Sequence, residues 1–161
     1  MKKVIICLLT VVALFTITAC GKKEETSTTN KKQNGVLCKK KFDYQSLEYV
    51  AIVENDELTS FNIITSYEYD DLESMKNSCN SNQKEAKEVN AKNIYVKYNV
   101  TCNEKNKTIT IEKEYDTEKS MKEKSIKNML SYVYNYIQED NKFDTKGWKE
   151  SNIKDGFTCD K

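Results

Sequence analysis

Residues 47–69, LEYVAIVENDELTSFNIITSYEY, decide the fold. In the first run Tyr49, Ala51 and Val53 fall on one face of a strand, and Val50 and Ile52 on the other. In the second, Phe61, Ile63, Thr65, Tyr67 and Tyr69 share a face. Asn55-Asp56 lies between them, and both residue types tolerate the positive φ that a two-residue hairpin turn demands. The stretch therefore reads as an antiparallel hairpin.

Upstream, Val36, Cys38, Phe42 and Tyr44 alternate with Lys39, Lys41 and Asp43, and only Lys40 breaks the period, so the spacing predicts a strand over 36–44. Downstream, Asp70 and Glu73 have the spacing of an N-cap and its capping-box partner. The helix they open carries Leu72, Met75, Cys79, Ala86 and Val89 on one stripe, and the polar run 80–83 weakens or breaks it. Residues 93–102 alternate again through Ile94, Val96, Tyr98, Val100 and Cys102; a turn at 103–106 returns the chain through Ile109, Ile111 and Tyr115. A long helix capped near Thr117 then places Ile126, Met129, Leu130, Val133 and Ile137 on one face. Thr145 is positioned to cap a last short helix that Gly156 stops, and 157–159 is extended. The expected class is α+β: a mainly antiparallel sheet of about five strands, with two to three helices packed on one face.

The N-terminal residues belong to a different problem. Lys2 and Lys3 precede an apolar run, 4–17, that is interrupted only by Thr10 and Thr16. It is shorter than the roughly 20 residues a bilayer crossing takes and has the form of a signal-peptide core. Ile17-Thr18-Ala19-Cys20-Gly21 then resembles a bacterial lipobox, in which the cysteine thiol is acylated and the chain is cut before it. We expect residues 1–19 to be a lipoprotein signal peptide, with Cys20 the lipidation site and membrane anchor. Residues 20–34 are expected to be a lipidated flexible tether, because 21–34 carry no apolar side chain with which to offset ordering entropy. Residues 35–161 form a single extracytoplasmic domain on this reading, at the outer face of a cell membrane.

Composition removes several function classes. Cutting after residue 19 lowers the formal charge from +1 to −1, which is not the footprint of a nucleic-acid binder. The chain has no histidine, so Ser-His-Asp and Cys-His catalysis are excluded, along with the commonest zinc ligand. Every basic residue is lysine, so bidentate guanidinium clamps are missing too. No catalytic residue, metal site or cofactor is expected. Asp70-Asp71 is accounted for by helix capping, and Glu112 and Glu114 by a solvent-facing strand surface.

Beyond Cys7 in the signal and Cys20 at its end, four cysteines remain: Cys38, Cys79, Cys102 and Cys159. In an exported domain an even number argues for disulfides; no C-x-x-C spacing points to a redox or zinc site. Sequence alone allows three connectivities. Following the elements up and down the sheet brings Cys79 near Cys102 and returns Cys159 beside Cys38, which favours those two pairs.

Tyr132, Tyr134 and Tyr136 crowd the long helix. With the core stripe centred on Ile126 and Ile137, Tyr134 and Tyr136 fall on its flanks, where tyrosines seal a core edge. Tyr132 points further out and is the candidate binding surface. Trp148, the only tryptophan, is read as the anchor of the last helix.

The order of parts (lipobox, polar tether, opening hairpin, helix, the pair of strands at 94–100 and 108–112, a closing helix and the Asp155-Gly156-Phe157 ending) resembles the YehR-like family of small bacterial lipoproteins, from Gly35 to the C-terminus. The resemblance implies a compact α+β domain and carries no functional residue over; the four extra cysteines depart from it. The expected function is that of a non-enzymatic, membrane-anchored lipoprotein that binds an envelope protein or ligand. The alternative is an accessory or substrate-binding subunit of an envelope transporter.

Overall fold

The computed structural model describes residues 35–92 and 95–160. The expected signal, Cys20 and the tether lie outside the described residues, as do Asn93 and Ile94. The elements run β1 (Gly35–Lys41), β2 (Gln45–Glu54), β3 (Glu57–Glu68), α1 (Leu72–Lys92), β4 (Val96–Asn103), β5 (Thr108–Asp116), α2 (Thr117–Ser120), α3 (Lys124–Met129), α4 (Ser131–Tyr134), α5 (Thr145–Lys154) and β6 (Thr158–Cys159). The strands form one sheet in the order β4-β5-β3-β2-β1-β6, with every neighbouring pair antiparallel. The class is α+β, with helices packed on one face of the sheet.

Asn55 and Asp56 adopt φ of 52° and 66°, so the β2–β3 turn is the left-handed two-residue type that their side chains permit. Just past it, Ile52 pairs with Ser60 but Val53 pairs with Leu58, which leaves Thr59 as the extra residue of a bulge. The bulge lets Leu58 and Phe61, three apart in sequence, enter the same core cluster.

Register defines the covered face. One row runs Val36, Ala51, Phe61, Tyr115, Val96 across five strands; the next runs Cys159, Cys38, Tyr49, Ile63, Lys113, Tyr98 across all six. The main cluster packs Ala51, Phe61 and Tyr115 against Leu130, Val133, Tyr134, Phe143 and Trp148. A smaller one packs Ile109 of the same face against Met75 and Cys79 of α1.

Several local expectations are corrected. The first strand ends at Lys41 rather than Tyr44, because Phe42 N–H bonds the Gln45 carbonyl and turns the chain; Phe42 and Tyr44 are exposed. The N-cap of α1 is Asp71, not Asp70: its carboxylate accepts from Ser74 N–H at 2.7 Å. The polar run 80–83 does not break α1, since Asn82 bonds back to the Ser78 carbonyl at 2.8 Å and accepts from the Tyr98 hydroxyl at 3.3 Å. Asp144, not Thr145, caps α5, accepting from Gly147 N–H at 2.9 Å.

The largest correction concerns the expected long helix, which is three short ones. Asp116 caps α2, and Ser120 Oγ then bonds back to the Asp116 carbonyl. Glu123, at extended φ and ψ, caps α3 through Ser125. Glu123 thus restarts the helix after one break, and Leu130 at φ −96° makes the second. Among the described residues the helices packed on the sheet number five, three of them being the short pieces of the expected long helix. The described strands number six, in keeping with the expected sheet of about five; the sixth forms because Cys159 and Thr158 pair with Cys38 and Lys39.

Candidate functional site

The breaks decide which side chains face in. Leu130 and Val133 are fully buried and Tyr134 nearly so, its hydroxyl in contact with Ser120 Oγ; Tyr134 is a core residue and not a flanking one. Met129, expected inside, is 50% exposed. Tyr132 stays 37% exposed, yet its ring is not free. It packs on Tyr49 at 5.2 Å between centroids and meets Phe61 edge-on at 5.9 Å.

Tyr49 is the hub of this aromatic group. It stands on the covered face of β2 and stacks on Phe157 at 5.0 Å and 20°. Phe61 in turn meets Trp148 edge-on, and Trp148 meets Phe143. Trp148 is fully buried and anchors α5; its Nε1 has no hydrogen-bond partner among the described residues.

Tyr132 separates two depressions. On one side α1 and the α3–α4 segment part over β3, β5 and β4, leaving a groove of about 380 Å³ whose lining includes Tyr67, Tyr98, Glu85, Lys113 and Met129. Lys113 Nζ sits 4.4 Å from the Tyr98 ring centroid, so the floor's one ammonium is held by a ring face. On the other side, between α4, α5 and β2, lies a cavity of about 210 Å³. Tyr49, Tyr132, Asn135, Ser151, Asn152 and Asp155 reach it from those three elements. Every lining side chain except Phe157 carries a hydrogen-bonding atom.

The Tyr49, Tyr115 and Tyr132 hydroxyls stay neutral. Burial, with Tyr49 beside it, pushes the Tyr132 phenol up from 10.0. Burial also raises Tyr49; its hydrogen bond with Tyr132 opposes the shift and the Asp155 carboxylate adds to it. Tyr115 is pushed up to about 12 by burial and the neighbouring Tyr134. At neutral pH the site therefore presents O–H groups that both donate and accept.

A further depression, about 540 Å³ at the β4 edge, carries Glu114 and Asp116 on its wall. Each is paired, Glu114 with Lys97 at 3.8 Å and Asp116 with Lys119 at 2.6 Å. The Lys119 hydrogen bond holds the Asp116 carboxyl below its usual range, the opposite of what a general acid requires. Asp71, Glu118 and Asp140 shift downward as well, through hydrogen bonds from Ser74, Lys122 and Lys142. Among the described residues no three Cys, Asp or Glu side chains gather as a metal-binding set, and no helix is long and apolar enough to cross a membrane.

Cys38 is bonded to Cys159, and Cys79 to Cys102. The first ties the C-terminal strand to β1 beside Tyr49. The second ties α1, one wall of the groove, to β4.

No protein-family model matches this chain, and neither does any curated protein. A solved structure does: an NMR structure of a protein from Streptococcus pneumoniae TIGR4 aligns with a TM-score of 0.51 over 78% of this chain and 83% of that one. At 12% identity the likeness shows the fold alone.

Sequence reasoning singled out Tyr132 but missed Tyr49, Asn135, Asn152 and Asp155. A local signal existed: Ser131 and Asn135 are four apart on either side of Tyr132, and Asn152 and Asp155 are three apart, both same-face spacings on a helix. What no local signal contained was that α4 and α5 face each other across the Tyr49 ring.

Proposed function

We propose that this chain is a lipid-anchored, extracytoplasmic binding module, non-enzymatic, whose ligand site is the region around Tyr132. The observation that carries the reading is the placement of Tyr132: a ring more than a third exposed that divides two depressions on the helix-bearing face. A side chain that only sealed the core would not line a recess on both sides. Two disulfides in one small domain fit an oxidising compartment. The lipobox-like sequence at Cys20 supplies the anchor, and the place beside the YehR-like lipoproteins belongs to the same proposal.

The test is photo-crosslinking in intact producing cells. A benzophenone amino acid replaces Tyr132 in one variant and Thr101, exposed on the opposite sheet face, in another. Mass spectrometry of the non-reduced protein reads the mass of the Cys20 fragment. The proposal expects an acylated Cys20 and an envelope adduct at position 132 that is absent at 101. Equal labelling at both positions overturns the site, and a free Cys20 thiol overturns the anchorage.

A further inference from the structure

We propose that the smaller cavity beside Tyr132 is a saccharide subsite that takes one neutral pyranose unit; this rests on the reading of Tyr132 as the ligand site. The lining has the chemistry of polyol recognition. A pyranose presents neighbouring hydroxyls, each donor and acceptor at once, around a ring with apolar C–H faces. Planar amides and carboxylates match such pairs, and an exposed aromatic ring matches the C–H face. Asn135, Asn152 and Asp155 supply the planar groups, Ser151 and Tyr49 the hydroxyls, and Tyr132 the ring.

Part of this set is fixed in advance. Asn152 is only 6% exposed, and its Nδ2 donates to the Trp148 carbonyl at 2.9 Å, so its Oδ1 is oriented as an acceptor before any ligand arrives. Asp155 ends α5 as its C-cap, and its main-chain carbonyl accepts from Lys40 Nζ at 2.6 Å. That contact pins the residue from the backbone without using the carboxylate.

Other ligand classes fit less well. Asp155 is the only full charge among the lining residues, so the lining offers an anion no side chain of opposite charge. A lone carboxylate is a poor metal site. A purely apolar ligand would leave the amides and hydroxyls unpaired, which costs on the order of 1–3 kcal/mol per buried group. At about 210 Å³ the cavity is below the usual range for drug-sized ligands and suits a single ring.

The test uses the full chain in a detergent without a sugar headgroup. Saturation-transfer NMR is run with the methyl glycosides of glucose, galactose, mannose and N-acetylglucosamine, and with sorbitol as an open-chain control. At least one pyranoside should receive saturation that sorbitol does not. Asn135→Ala and Asp155→Ala should each weaken its binding about tenfold, as expected for one lost hydrogen bond, while Asn99→Ala, on the opposite face, leaves it unchanged. Asn135 and Asp155 are exposed, so both variants should fold, which circular dichroism checks; Asp155→Asn is the isosteric second variant. No transfer to any pyranoside, or transfer that these substitutions leave intact, overturns the proposal. If the position-132 crosslink survives that failure, the saccharide class alone is wrong. If both are lost, the ligand-site reading falls with it.

Discussion

The two disulfides close loops of very different length, and their removal should separate accordingly. Cys38–Cys159 spans 121 residues of sequence and Cys79–Cys102 spans 23. In the chain-entropy treatment each bond destabilises the unfolded state by an amount that grows with the logarithm of its loop, giving ~4.9 and ~3.4 kcal/mol. The ~1.5 kcal/mol difference depends only on the ratio of loop lengths, so the constant in the treatment cancels. Tertiary context widens the gap. β6 is two residues long and is held to β1 by two paired positions and the Asp160 N–H to Leu37 carbonyl bond. α1 instead keeps Met75 and Ala86 buried and a pair of Asn90 bonds to β4 without its disulfide. Urea unfolding of Cys38→Ala/Cys159→Ala and Cys79→Ala/Cys102→Ala, followed by Trp148 fluorescence, measures both costs. Hydrogen exchange at Thr158 and Asp160 reports local fraying. The first double variant should be the less stable by at least ~1.5 kcal/mol, with 158–160 exchanging early. The reverse order, or equal stability with β6 still protected, would refute the loop-length reasoning.

Trp148→Ala should cost about 3–5 kcal/mol, the range for emptying a fully buried aromatic site, read as a shift in the urea midpoint by circular dichroism; Trp148→Phe should cost clearly less, because it also removes the unpartnered Nε1. Asn90 holds both backbone groups of Tyr98, accepting from its N–H and donating to its carbonyl at 2.8 Å each, and so plugs the outer edge of β4. Asn90→Ala should lose about 1–3 kcal/mol for the two bonds and raise self-association in sedimentation velocity; a variant as stable and monomeric as the parent would show the plug to be idle. For Tyr115, raised from 10.0 to about 12, the folded state binds the phenol proton more tightly. Its stabilising contribution is complete below pH 10 and lost as pH rises towards 12, so the urea midpoint should fall across that window and Tyr115→Phe should flatten the fall. Gly147 lies so close to the Asp144 carboxylate that a Cβ there would collide with it. Gly147→Ala should therefore break the α5 cap, at a cost of about 1 kcal/mol, measurable as a lower thermal midpoint.

Strand periodicity was legible because each strand repeats its pattern over many residues. The 47–69 hairpin and the 108–115 strand appear where alternation places them, and Asn55-Asp56 turns as its chemistry requires. Helical periodicity misled where short-range caps competed with it. The stripe Ile126, Leu130, Val133, Ile137 is real as a pattern, but Asp116, Glu123 and Ser120 each offer the backbone a stronger local alternative than one more helical turn. The same competition hid the terminal residues of elements: Asp71 and Asp144 outbid Asp70 and Thr145 as caps by position alone. Tyr132 was visible as an outward-pointing ring. Its neighbours Tyr49 and Asp155 were not, being far from it in sequence.

By itself the sequence determined the class of fold, the hairpin at its centre, the excluded chemistries and an even set of cysteines, because each of these depends on residue type or on spacing within one element. Tertiary structure alone decided that the 117–137 segment breaks into three helices, that Tyr134 goes in while Met129 comes out, and that β6 joins the sheet as a sixth strand. It alone brought α4, α5 and β2 together around a polar cavity. Those outcomes turn on where the short helices restart and on contacts between residues as distant as Tyr49 and Asp155. Such contacts are set by packing the whole chain at once, and a periodic pattern read along one element does not contain them.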